Sequence, residues 1–318
     1  MKKRFPLWMK LLCDAAILGV FMLFFAYFHH VKPRESKIEG TRTNIPQIVE
    51  TDATAATDEF GNTETEPPET TVEEDGRYAN NKVSVTVTKG TRTEGDDLIT
   101  YYVADIYVKS ALSIKTAFAK DTYGVGYYER IKPIAERHNA IIAISGDFYG
   151  AFGSKEEIYN FVLRNGMIYS PTVSSGDVAV LYADGELAVY SPKELDINEL
   201  IDRGAWQAWN FGPTLVKNGK IPEKFNATSY INKKHPRCGI GYYEPGHYCF
   251  VVVDGRQDGY SSGATIQEFA EIFESLGVTN AYNLDGGRSA AMVMYGEYVN
   301  TPWEGGRSLC DIIYIGAE

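Results

Sequence analysis

Apolar and polar positions divide this chain into three stretches of different texture. The first is an apolar run from Leu11 to Phe28, interrupted only by Asp14. At about 18 residues it meets the lower limit for a helix that crosses a bilayer. From Arg34 to Tyr78 large apolar residues are sparse and follow no period. From about Asn80 the pattern of a folded body begins. Val83, Val85 and Val87 alternate with Ser84, Thr86 and Thr88, which predicts a half-buried strand. Leu98 to Val108 predicts a second strand, rich in Tyr and Val. A helix is expected near Tyr127 to His138, with Pro133 as a local fault. Ala140 to Ile144 reads as a buried strand that stops at Ser145-Gly146-Asp147.

Turn signals follow at Asn165-Gly166, Asp184-Gly185 and Asn218-Gly219, each beside apolar runs. Leu195 to Ile201 is expected to form a short helix. Arg237 to Tyr243 and Tyr248 to Val253 read as paired strands, the second ending at Asp254-Gly255-Arg256. Thr265-Ile266-Gln267-Glu268 fits a capping box, in which the Thr and Glu side chains each satisfy a free backbone N–H. Ile266, Phe269, Ala270 and Phe273 share one face of that helix, and Gly277 suits its C-terminus. The helix feeds an apolar strand that ends at Asp285. A last strand runs from Asp311 to Ile315. Strands dominate and hairpins outnumber crossovers. The expected fold is α+β: one globular domain over 79–318, with a mixed, hairpin-rich sheet covered by a few helices.

Charge sharpens the boundaries. The net charge is −11, and between Arg34 and Tyr78 twelve acidic residues face four basic ones, a balance of −8. This Thr-, Glu- and Pro-rich segment, 34–78, is expected to be a disordered, self-repelling linker. The acidic balance therefore belongs mainly to the linker and gives no basis for nucleic-acid binding. Lys2, Lys3 and Arg4 precede the apolar run. That flank predicts residues 1–33 to be a cytoplasmic stub and transmembrane anchor, with the domain outside the cell. No small-x-small cleavage site follows the run, which favours an uncleaved anchor. Cys13 lies within it. Cys238 and Cys249 flank a predicted turn at Glu244-Pro245-Gly246 and either pair across strands or remain buried thiols.

Candidate chemistry gathers at three strand ends, where Asp147, Asp254 and Asp285 each sit beside a glycine. Arg237, Arg256 and Arg288 lie in or next to such turns. One Asp-Gly turn is usually structural, but three that follow apolar strands can deliver their ends to one edge of a sheet. Asp285-Gly286-Gly287-Arg288-Ser289 packs a carboxylate, two permissive glycines, a guanidinium and a hydroxyl into five positions. Trp303, in a loop, is a candidate to stack on a sugar, whereas Trp206 and Trp209 read as core. His235 and His247 lack metal-ligand spacing, so no metal centre is assigned. Carboxylates and carbonyls could still hold a hard cation such as Ca²⁺. Gly-x-Ser-x-Gly is absent, which discounts Ser289 as a serine-hydrolase nucleophile. Asn226-Ala227-Thr228 is a formal glycosylation sequon.

Asn283-Leu284-Asp285-Gly286-Gly287-Arg288-Ser289 resembles the signature of the phosphodiester glycosidase family. Other segments resemble it in order: Ile144 to Tyr149, Phe211 to Val216, His235 to Gly241, Val253 to Arg256, and Ser262 to Thr265. Departures are Ser145, where the family often has Asn, and Arg288, where it often has a third Gly. The resemblance covers roughly Ala140 to the C-terminus. It implies an enzyme that cleaves a sugar from phosphate at the anomeric carbon. The leaving phosphomonoester has a second pKa of about 6. Such a group needs less protonation than an ordinary glycosidic oxygen and more cationic clamping. The expected roles are Asp285 as leading carboxylate with Asp147 or Asp254 as partner. Arg237 and Arg288 are expected to hold the phosphate, with Arg256 as a further contact or brace. Gly286, Gly287, Ser289 and Trp303 are expected to complete the substrate site. The expected substrate is a phosphodiester-linked cell-surface glycan. The alternative is a non-catalytic module that binds anionic glycans or assists envelope assembly.

Overall fold

The computed structural model describes residues 6–28, 32, 34–35, 40–46, 72–74, 76–95, 97–149 and 160–317. An α-helix spans Leu7–Ala26, with every side chain outside the core. It starts earlier than the apolar run because Trp8 and Leu7 continue it. It is long and apolar enough to cross a membrane.

The body holds three large sheets and a two-stranded ladder in which Arg34–Glu35 pairs with Gly124–Val125. The eight-stranded sheet runs, in spatial order, through Thr214–Val216, Asn280–Leu284, Arg237–Glu244, His247–Val253, Asp97–Val108, Val83–Glu94, Arg77–Ala79 and Val72–Glu74. A six-stranded sheet is built around Val178–Tyr182 and Ala205–Trp209, and a five-stranded one around Ala140–Ser145 and Asp311–Gly316. The α+β class stands. The sheets were expected to be mixed, but each strand pairing among the described residues is antiparallel. The cause is the hairpin connectivity. The one helical crossover near the site, Ile266–Ser275, skips over Arg237–Glu244, so that strand separates the two that point the same way.

Local signals account for most boundaries. Asn165 and Gly166 both take positive φ (50° and 73°), the conformation a tight two-residue hairpin requires. Thr265 Oγ1 accepts from the Glu268 N–H at 3.1 Å, and Glu268 Oε2 accepts from the Thr265 N–H at 2.7 Å, completing the expected capping box. Pro133 does not fault a long helix. The helix is short, Ile131–Arg137, and places Pro133 in its first turn, where no amide partner is needed.

The eight-stranded sheet is buried on both faces. Cys238, Ile240, Phe250, Val252, Tyr282 and Leu284 pack into the central core. Cys249, Val251, Val253 and Ala281 pack beneath Ile266, Phe269 and Phe273. Each of those three helix side chains is essentially fully buried, worth about 1.5–3 kcal/mol apiece. This also settles the cysteines. Cys238 lies opposite Val252, and Cys249 opposite Gly241. The odd offset puts the two on opposite faces of the sheet, and both are free thiols.

The expected linker is not free throughout. Thr41–Arg42 pairs with Met167–Ile168 as an edge strand. Thr43 is buried, and its Oγ1 donates to the Ala205 carbonyl at 2.8 Å. Val72–Glu74 and Arg77–Ala79 extend the eight-stranded sheet. Backbone pairing with exposed sheet edges needs little apolar surface, so the polar composition did not reveal it. The expected disorder between 47 and 71 lies outside the described residues.

Candidate active site

Sheet topology brings the candidate residues to one edge. Arg237 pairs with Val253, and Cys238 with Leu284, so Arg237, Asp254 and Asp285 leave the sheet side by side. The five-stranded sheet meets this edge. The Asp285 N–H donates to the Gly146 carbonyl at 3.0 Å, and Ser145 Oγ donates to the Asp285 carbonyl at 3.0 Å. Asp147 therefore arrives beside Asp285 from another sheet. Above them opens a cleft of about 580 Å³. Asp285, Arg237, Arg256, Arg288 and Arg307 line it, interleaved with Phe148, Phe211, Tyr230, Ile231 and Trp303.

Asp285 is the one carboxylate among the described residues that line the cleft. Arg307 donates to both of its oxygens, at 3.0 and 3.2 Å, and donates through Nε to Ser289 Oγ at 2.6 Å. Burial pushes the Asp285 carboxyl above its ordinary range, against the pull of Arg307 and Ser289. Gly286 and Gly287 form the turn that presents it. A Cβ on Gly286 would meet the Pro236 carbonyl oxygen at 2.8 Å, and Gly287 has φ of 61°. The Gly287 N–H donates to that same carbonyl at 2.7 Å.

Asp147 and Asp254 lie behind the cleft rather than in its lining. Asp147 accepts from the Asn210 and Phe148 amides at 2.8 and 2.9 Å and faces Arg164 at 3.4 Å. Arg164 also binds Asp311 at 2.7 Å and donates to the Leu163 and Ala208 carbonyls, all fully buried. Burial raises Asp147, and pushes Asp311 up to about 6. Asp254 fixes the next loop. It accepts from the Asn300 side chain at 2.8 Å, from the Thr301 amide at 3.0 Å and from the Tyr260 hydroxyl at 2.9 Å. That loop carries Trp303 into the cleft.

The arginines differ in how fully they are engaged. Arg237 is buried, and its Nε and one terminal nitrogen donate to the carbonyls of Ala264, Ile231 and Lys233. Burial and nearby Arg256 pull it down to about 10. Its donors hold the 231–233 backbone as much as they face the cleft. Arg288 is half exposed and pairs with Glu304 at 3.3 Å. Arg307 is paired with Asp285. Arg256 has no carboxylate partner among the described residues: its guanidinium meets His235 Nδ1 at 2.8 Å and lies 4.5 Å from the Trp303 ring centroid.

Reasoning from sequence missed Arg307 and Arg164. Arg307 had a signal, because Gly305-Gly306-Arg307 repeats the Gly286-Gly287-Arg288 pattern. Arg164 had only its position, a lone cation ending the apolar run Phe161-Val162-Leu163. Trp209 lies in the core, and Trp206 packs half-buried against it. His247 is far from this chemistry in kind: it bonds Asp105 at 2.8 Å and stacks between Tyr107 and Tyr243. Asn226, of the sequon, hydrogen-bonds the Ser175 carbonyl and Asp177. No group of three or more potential metal-ligating side chains occurs among the described residues.

The chain is 30% identical over 300 residues to the SPbeta prophage-derived uncharacterized protein YomE of Bacillus subtilis, covering 87% of this chain and 44% of YomE. The chain thus spans less than half of that relative. Its fold matches the catalytic domain of zebrafish N-acetylglucosamine-1-phosphodiester alpha-N-acetylglucosaminidase, a structure auto-inhibited by its pro-peptide. The TM-score is 0.60 at 18% identity, over 74% of this chain and 84% of that one. A hypothetical protein from Synechocystis matches with a TM-score of 0.52 at 13% identity, over 74% and 62% of the two chains. The phosphodiester glycosidase family matches residues 138–316, which hold the whole cleft, and the chain belongs to that family.

Proposed function

We propose that the cleft hydrolyses sugar-1-phosphodiester bonds by breaking the bond between the anomeric carbon and the phosphate oxygen. The observation that carries this reading is one buried carboxylate, Asp285, ringed by four arginines in a cleft with an aromatic wall. A dianionic phosphomonoester leaves readily, since its second pKa is about 6. The site then needs no second carboxylic acid to protonate the leaving group. A single lining carboxylate is chemically sufficient.

Arg256 is the leading phosphate ligand, because its charge is otherwise balanced only by a neutral ring and an indole. Arg288 assists from the rim, and Arg237 braces the wall. Asp285 stabilises the oxocarbenium-like centre, as nucleophile or by activating water. Arg307 and Ser289 hold its orientation. Asp147 and Asp254 act from behind, through the Phe148 and Trp303 segments. In net terms, water oxygen bonds to the anomeric carbon, the C–O electron pair leaves with phosphate, and water's proton passes to Asp285 and then to solvent.

The Leu7–Ala26 helix is read as an uncleaved anchor, with Lys2, Lys3 and Arg4 on the cytoplasmic side. The domain then faces outward, where phosphodiester-linked glycans such as teichoic-acid or capsule-type polymers are its substrates.

The test uses the full chain in detergent and a 4-nitrophenyl phosphodiester of an anomeric sugar in ¹⁸O-labelled water, with the products read by mass spectrometry, since cleavage at the anomeric carbon releases intact 4-nitrophenyl phosphate. Label is expected in the sugar, and Asp285→Asn should abolish turnover while keeping the fold. Label in phosphate would mean P–O cleavage. Tight binding without turnover across a panel of sugars would instead favour a binding module.

A further inference from the structure

Arg256 is held in an unusual way. Its backbone sits at φ 60°, the left-handed region that costs a non-glycine residue about 1 kcal/mol or more. Its neighbours leave it no room to relax. A Cβ on Gly255 would meet Gly263 Cα at 2.5 Å, and the Gln257 amide is tied to the Ser261 carbonyl at 3.0 Å. The side chain is fixed at its tip by the Trp303 ring and by the hydrogen bond to His235 Nδ1.

The tautomer of His235 follows from its two partners. Nε2 lies 2.9 Å from the Tyr230 carbonyl oxygen, which can only accept, so Nε2 carries the hydrogen. Nδ1 faces a guanidinium, which can only donate, so Nδ1 keeps its lone pair. His235 is thus neutral, with both nitrogens satisfied. Its backbone is separately pinned, with its N–H and C=O both paired to Ala264 at 3.1 and 2.9 Å.

The geometry points to His235 as a positioning residue that holds Arg256 for anion binding only while its imidazole is neutral, so that substrate affinity falls as pH drops. The inference rests on the reading of Arg256 as phosphate ligand. A proton on Nδ1 would turn the acceptor into a donor and set two cations against each other at hydrogen-bond distance. The other charged groups near the ring do nothing to offset this. Arg237 acts on it from the start of the strand that follows and Lys233 from its own loop, both cations, while the Tyr230 ring lies tilted against it at 4.8 Å between centroids. Glu268, which acts on Arg237, is engaged with Lys234 and the helix cap, and Asp285, which lines the same cleft, is paired with Arg307. Burial and these cations together hold the imidazole below its ordinary value of 6.5, so it is neutral at physiological pH and protonates only under acid.

The probe must not titrate itself. A 4-nitrophenyl phosphodiester of a sugar 1-phosphate keeps one negative charge throughout, unlike a monoester that titrates near pH 6. Initial rates for the full chain in detergent, from about pH 4.5 to 8, separate KM from kcat. For the native chain KM should rise as pH falls, approaching about tenfold per pH unit below the imidazole transition. His235→Asn places an amide oxygen where Nδ1 stands and cannot be protonated in this range, so its KM should stay flat. His235→Phe removes the acceptor and should raise KM about tenfold or more at every pH. Equal pH slopes in the native chain and in His235→Asn would overturn the inference.

Direct ¹⁵N shifts of the His235 ring in the native chain need no variant. An Nε2–H tautomer at pH 7 is expected, and an Nδ1–H or doubly protonated ring would also overturn it. If the probe binds with the His235-dependent profile but is never cleaved, hydrolysis fails and the His235 role stands. If it is cleaved with a profile indifferent to His235, the reverse holds.

Discussion

Replacing Arg307 by Met isolates what the cleft's ion pair does for the fold. Methionine keeps an unbranched apolar stem and removes the guanidinium, which lies 5.8 Å from the Phe148 ring centroid and faces Asp285. At 3.0 Å, Coulomb's law with an effective dielectric of 20 gives about 5 kcal/mol for the pair. Water reaches the Arg307 side chain, which is 31% exposed while that of Asp285 is 8% exposed, so roughly half of this should be felt. The expected loss is about 2–3 kcal/mol, or about 5–10 °C in Tm for a body of this size. The loss should be greatest at neutral pH and fade under acid, because a protonated Asp285 no longer needs a cation. The decisive measurement is a double-mutant cycle by thermal or urea unfolding of the full chain. Asp285→Asn alone should change stability by no more than about 1 kcal/mol, since it removes a carboxylate that burial already disfavours. The double variant should recover most of what Arg307→Met lost. If the two effects simply add, the pair is not coupled and the proposed holding of Asp285 by Arg307 is wrong.

Gly286→Ala should cost about 1–3 kcal/mol and lower activity, because its methyl would meet the Pro236 carbonyl oxygen at 2.8 Å; an unchanged melting curve would show that the turn yields freely. Asp311 has a folded value near 6, above its ordinary 3.8, so its favourable contribution is complete below about pH 4 and is lost as pH rises through 6. Urea titrations across that window should show a fall of up to about 3 kcal/mol that Asp311→Asn flattens. Cys238 and Cys249, whose thiols burial pushes up to about 12, should resist a thiol reagent at neutral pH until denaturant is added. Their prompt reaction in the folded protein would contradict the packing described.

Much of the fold could be read from local signals. The Asn-Gly turns, the Thr265–Glu268 cap and the apolar strands leading to Asp254 and Asp285 are each decided within a few residues. The convergence of Asp147, Asp254, Asp285 and the arginines on one region was also anticipated, as strand ends at one edge. What stayed hidden was which of them face the cleft. Asp147 and Asp285 have the same sequence texture, but Arg164 and Asp311 enclose the first and Arg307 opens the second to the lining. Those partners come from more than ten residues away along the chain. No periodicity carries such pairings. Arg237 shows the same limit: its strand placement was legible, but the backbone carbonyls that occupy its donors belong to an irregular loop.

The pairing of Arg34–Glu35 with Gly124–Val125 sets how far the domain can travel. Taken by composition, 34–78 would be one long leash on which the domain ranges freely above its anchor. Because the chain is fastened at 34–35, at 41–42 and again at 72–79, the stretch between the last two points adds nothing to reach. With Leu7–Ala26 read as the anchor, the tether is only the chain from Ala26 to Arg34, which spans about 28 Å even when fully extended. Shortening the acidic stretch should therefore leave the working radius unchanged, whereas lengthening the chain before Arg34 should extend it.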